Sequence, residues 1–137
     1  MVKAKEFTKL IIIPSRIREI GQVVEAFKAY FNQKSYQGIK YRRLLDAIYE
    51  ALSNAIIHGN KKDETKKISI TWVDRSDKFQ VKVTDEGEGF DTHSIPDPCL
   101  PHNITKSHGR GLYIIKNSVD ELNFDEDGNE ITMVIHK

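Results

Sequence analysis

Residues 50–60 read EALSNAIIHGN. Glu50, Asn54 and His58 recur every four residues, so a helix would carry all three on one face. Leu44, Leu45, Ile48, Leu52 and Ile56 supply an apolar stripe at the same period, which predicts a helix over 41–58. Gly59 and Asn60 are its stop signal. A carboxylate and an amide set among Ala, Leu and Ile point to polar atoms in a partly buried place, where they need partners. A polar strip on an ordinary amphipathic helix gives the same pattern. His58 also suits simple capping of the helix end beside Gly59.

Upstream, Phe7–Ile13 ends in an apolar run and stops at Pro14, the pattern of a strand at a sheet edge. Ser15 is placed to cap a following helix. Ile17, Ile20, Val23, Val24, Phe27, Tyr30 and Phe31 give that helix its period, and it should end before Gly38. Downstream, KKDETKK at 61–67 is a charged turn. Ile68–Val73 and Phe79–Val83 alternate with period two around DRSDK, a hairpin pattern.

The second stretch with chemical content is Asp85-Glu-Gly-Glu-Gly89, directly after the hairpin. An aspartate at a strand end can present an acceptor, and Gly87 and Gly89 let the backbone turn tightly and approach a flat ring. An acidic turn of no further purpose has the same composition. Residues 91–108 then lose periodicity, gain Pro96, Pro98 and Pro101, and make a long loop of the functional or mobile kind. The third stretch is Gly109-Arg110-Gly111-Leu112. Glycines opening a helix suit phosphate, because backbone N–H groups and the helix dipole favour an anion; a plain glycine turn is the alternative. Helical spacing resumes over 112–122, and strands near 122–125 and 130–136 are joined through EDGN. The order β-α-α-β-β-loop-α-β-β predicts an α+β two-layer sandwich: a mixed, mostly antiparallel sheet with helices on one face.

Composition bounds the rest. The chain has 137 residues with 39% apolar and 30% charged, which reads as one globular domain spanning 1–137. A net charge of +1 gives no global field to attract nucleic acid or an acidic membrane, so neither is expected as a direct partner. Cys99 stands alone between prolines, an incidental loop thiol that excludes an intrachain disulfide. The run Leu10–Ile13 is too short for a signal-peptide core, and nothing approaches the ~20 apolar residues of a membrane span. A cytoplasmic setting is the default expectation.

Taken in order, E-x-x-x-N-x-x-x-H on a helix, D-x-G-x-G after a strand, a long loop and G-x-G at a helix start resemble the GHKL ATP-binding superfamily. That superfamily includes histidine-kinase catalytic domains and gyrase B-type ATPases. EALSNAIIHGN, DEGEGFD, Pro96-Asp97-Pro98 and GRGLYII are most similar to the stand-alone anti-sigma-factor serine kinases. The resemblance implies ATP and Mg²⁺ as cofactors, with Asn54 the metal ligand and Glu50 the general base for a substrate serine. It implies that Asp85 accepts from the adenine amino group, with Gly87 and Gly89 giving the base room. Residues 91–108 would be the ATP lid and Gly109, Arg110, Gly111 and Leu112 the phosphate turn. Thr132 would lie near adenine. Some members carry an arginine just before the first glycine. Here Ser107 and His108 stand there, which leaves Lys106 and Arg110 as the basic candidates for the γ-phosphate.

The implied partners are a sigma factor and a STAS-type anti-sigma-factor antagonist, with a homodimer as a common arrangement. Two other readings stay open at this point. One is a non-catalytic, nucleotide-gated binding module of the same fold; the other is a detached histidine-kinase catalytic domain.

Overall fold

The computed structural model describes the backbone of residues 6–89 and 107–137, and the side chains of those residues except 107–110. Of the expected loop over 91–108, residues 91–106, with Lys106, Cys99 and Pro96-Asp97-Pro98, lie outside the described residues, as does the side chain of Arg110; Ser107 and His108, expected in that loop, open a helix instead.

The hairpin forms the centre of the sheet. Strands β2 (Lys67–Asp74) and β3 (Lys78–Thr84) pair antiparallel, with Ile70 opposite Val83 and Trp72 opposite Val81. Their period of two sends Ile68, Ile70, Trp72, Phe79, Val81 and Val83 to one face, where each is buried. β1 (Phe7–Pro14) adds to β2 on one side, and β5 (Glu130–His136) followed by β4 (Glu121–Phe124) adds to β3 on the other. Every pairing is antiparallel, so the parallel component of the expected mixed sheet is not found among the described strands. The α+β class stands.

Helices α1 (Ile20–Lys34), α2 (Ile39–Asn54) and α3 (Ser107–Ser118) share one hydrophobic core with the inward sheet residues. Phe27, Leu44, Ile48, Leu52 and Ile115 are fully buried there. Phe27 lies 4.3 Å from the Trp72 ring, centroid to centroid, and fixes α1 over the middle of the hairpin. Burying each such side chain contributes roughly 1.5–3 kcal/mol.

Three boundaries differ from the sequence reading. Ser15 caps nothing. Its hydroxyl donates to Lys66 O at 2.9 Å and accepts from Asn60 Nδ2 at 2.6 Å, and a 3₁₀ turn at Ile17–Glu19 leads into α1 instead. α2 starts earlier than expected, at Ile39, after Gly38 with φ +108°, a value that favours glycine. The expected helix over 41–58 keeps α geometry only to Asn54, then passes into a π-turn at Ala55–Gly59. Asn60 N–H closes that turn on Ala55 O at 2.8 Å.

Candidate functional site

Glu50 and Asn54 keep α spacing on α2, and both are half-buried. His58 falls inside the π-turn, whose extra residue offsets it from that pair. The π-turn carries Gly59 to the end of β3. A Cβ placed on Gly59 would overlap the Asp85 carboxylate, and one placed on Gly87 would overlap Gly59 O. Helix end and strand end thus meet through two glycines, at a separation no larger residue permits.

Asp85 lies on the core side of the sheet by the alternation of Phe79, Val81 and Val83. Its Oδ1 accepts the Gly87 N–H at 2.8 Å. Burial pushes the Asp85 carboxyl above the usual carboxylate range; the Gly87 N–H works against this and the nearby Asp125 charge adds to it. A half-buried carboxylate acceptor at a strand end is chemically suited to a ligand edge bearing an N–H donor.

Asn54 faces the third stretch. A Cβ on Gly111 would come within 2.9 Å of Asn54 Nδ2 and 3.2 Å of Oδ1. Gly109 falls in the first turn of α3, which begins at Ser107, and Gly111 just past it, rather than ahead of the helix. Leu112, next along, packs on the core. The structure therefore brings Asn54, Gly59, Asp85, Gly87 and Gly111 together along a single helix end.

Thr132 is not brought to this corner by the described backbone. It stands opposite Lys82 on β3 and Asn123 on β4, whereas Ile131, Met133 and Ile135 join the core. Alternation turns Thr132 to the face away from Asp85. Gly89 adopts φ +77° and packs against Asp127 O, in the turn between β4 and β5.

Two residues outside the sequence-based set hold the site. Asn60 is 1% exposed with its amide fully used: Nδ2 donates to Ser15 Oγ (2.6 Å) and Lys67 O (3.0 Å), and Oδ1 accepts the Glu86 N–H at 2.8 Å. Asn129 O accepts the Asp85 N–H at 2.9 Å, and Asn129 Nδ2 donates to Gly87 O at 2.6 Å. Both read as turn residues in sequence. The one signal was that each is an Asn beside a Gly, whose side chain readily bonds backbone.

The chain is 27% identical over 118 residues to the serine-protein kinase RsbW of Bacillus subtilis (strain 168), covering 80% of this chain and 72% of that one. It is 29% identical over 108 residues to the serine-protein kinase RsbW of Staphylococcus epidermidis, covering 73% and 67%. The solved structure of the RsbU and RsbW domains of Rv1364c from Mycobacterium tuberculosis superposes with a TM-score of 0.65 at 16% identity. That match covers 95% of this chain and 32% of the other, and establishes likeness of fold alone. The Histidine kinase-like ATPase domain family matches residues 13–135, a span that contains the helix end, the aspartate-ended strand and the glycine-bearing helix, and the chain belongs to that family.

Proposed function

We propose that this chain is an ATP-dependent protein serine kinase acting on a small regulatory protein. The observation that carries the reading is the meeting of Asn54 with Gly111 and of Asp85 with Gly59 at the two ends of one π-turn. Serine-protein kinases among the relatives and a histidine kinase-like ATPase domain over most of the chain support it.

Asp85, held against the helix end by the close approach of Gly59 and Gly87, would accept from the adenine amino group. Gly109, whose N–H is among the first four of α3 and so has no partner within the helix, would offer it to phosphate, while Gly111 would leave room beside Asn54. The Asn54 side-chain oxygen suits Mg²⁺, a hard cation that takes oxygen ligands and keeps several waters. Mg²⁺, when bound, neutralises charge on the phosphates. Glu50, one turn before Asn54, would accept the proton of a substrate serine hydroxyl as its oxygen bonds to the γ-phosphorus. The bond from that phosphorus to the β–γ bridging oxygen breaks, and ADP leaves.

The partners belong to the same proposal: a STAS-type anti-sigma-factor antagonist as substrate, and a sigma factor held when the antagonist is phosphorylated and released. A phosphate added to a packed interface brings charge that is costly to bury, which would separate kinase and antagonist. The test is incubation with γ-labelled ATP, Mg²⁺ and a STAS-type antagonist. Acid-stable label on an antagonist serine is expected. Glu50→Ala should bind ATP with unchanged affinity and lose transfer by about a hundredfold or more. Transfer at the original rate would remove Glu50 as the base, and label that never reaches the antagonist would overturn the kinase reading.

A further inference from the structure

The turn between β4 and β5 does more than join two strands. Asp125 Oδ1 accepts the N–H groups of Asn129 (2.9 Å) and Glu130 (3.1 Å), and Gly128 N–H reaches Asp125 O at 3.2 Å. Gly128 adopts φ +76°, so the turn has one tightly specified shape. From that frame Asn129 holds the segment 85–87 at both ends. Its carbonyl receives the Asp85 N–H and its side-chain amide reaches Gly87 O at 2.6 Å. Gly87 N–H, in turn, fixes Asp85 Oδ1 at 2.8 Å. The turn also packs under Gly89, where a Cβ would overlap Asp127 O and approach Asn129 Oδ1 to 2.9 Å.

We propose that Asn129 is a positioning residue for base recognition, setting the height and aim of the Asp85 carboxylate by clamping the backbone on either side of it. The proposal rests on the reading of Asp85 as the acceptor for the adenine amino group. Asn129 touches no part of the ligand in this scheme. It acts through the Gly87 carbonyl, and its loss would let the 85–87 segment relax and swing the carboxylate off its line. The charge on Asp125, which adds to the upward push on the Asp85 carboxyl, ties the same turn to the same group electrostatically.

The test compares ADP with purine riboside 5′-diphosphate, which is ADP without its 6-amino group, by calorimetry on the full chain. Wild-type protein should prefer ADP. Asn129→Asp keeps the size of the side chain and its backbone carbonyl but sets an oxygen against Gly87 O. It should weaken ADP binding by about tenfold and leave purine riboside diphosphate within about twofold, so that the preference collapses. Equal loss for both nucleotides, or no loss for either, overturns the proposal, since a merely structural role does not sort ligands by their amino group. Should Asn129→Asp not fold, Asn129→Ala carries the same comparison without adding charge. Wild-type protein that binds both nucleotides equally overturns the Asp85 reading itself, and the clamp with it. An Asp85 preference that survives in both variants overturns the clamp alone.

Discussion

At the scale of single residues, glycines decide where the site is. Gly111 occupies a helical position, where alanine is ordinarily better by roughly 0.5–1 kcal/mol. It is there because a Cβ would press on the Asn54 amide at 2.9 Å. Asn54 ends in a short movable amide, so Gly111→Ala is expected to fold with unchanged or raised melting temperature while Asn54 is pushed aside. The Mg²⁺-dependent part of ATP affinity should then fall by about tenfold, which calorimetry with and without Mg²⁺ would read. Undiminished Mg²⁺ dependence would separate Asn54 from the metal.

Asp85 carries a second expectation at this scale. Its carboxyl is raised by burial, so protons compete with a ligand N–H at a higher pH than for an ordinary aspartate. ADP affinity should decline on acidification through that raised range. Asp85→Asn should bind ADP more weakly and abolish the decline. The sign for the free protein is opposite: a raised folded value favours the protonated state, so this group's contribution to stability is lost as pH rises. Asp85→Asn should therefore melt no lower than wild type at neutral pH. These residues were legible as a motif. What the sequence did not show was which groups hold them: Asn60 and Asn129 are invisible as clamps because their partners are backbone atoms from distant segments.

At the scale of elements, the end of β2 is pinned by a polar network away from the nucleotide site. Asp74, 6% exposed, receives Tyr30 OH at 2.6 Å from α1, Tyr36 OH at 2.8 Å from the link to α2, and Lys137 Nζ at 2.6 Å. Burial works to raise the Asp74 carboxyl, but the hydrogen bonds from Lys137, Tyr30 and Tyr36 outweigh it and hold it below its ordinary value. A lowered folded value means stability that is present above the ordinary carboxylate range and lost as pH falls through the folded value. Asp74→Ala should cost about 2–3 kcal/mol in urea melts at pH 7. The gap to wild type should narrow as the pH is lowered towards 3.

The hairpin was legible because alternation survives in every inward residue from Ile68 to Val83. The Ser15 cap was misread because a local rule met a non-local competitor, the Asn60 amide. The π-turn was not legible either. Nothing in AIIHG distinguishes it from α, and only the demand that Gly59 reach Asp85 explains it. Lys61 and Lys62 follow it with φ +53° and +60°, values lysine does not advertise.

At the scale of the whole molecule, sheet order β1-β2-β3-β5-β4 lays the β4–β5 turn beside the end of β3, while α2 and α3 close over the same corner. The order of elements could be read from periodicity. The place of β5 beside β3 could not, because an intervening helix and strand separate them in sequence. Within the described residues no helix is long and apolar enough to cross a membrane.

Calorimetric titration of the chain with ATP and Mg²⁺ at neutral pH is the direct test of a shared site for helix end, strand end and glycine helix. One nucleotide per chain is expected, with affinity reduced by either Asp85→Asn or Gly111→Ala. No uptake by the wild-type chain, or uptake that both substitutions leave unchanged, would contradict it.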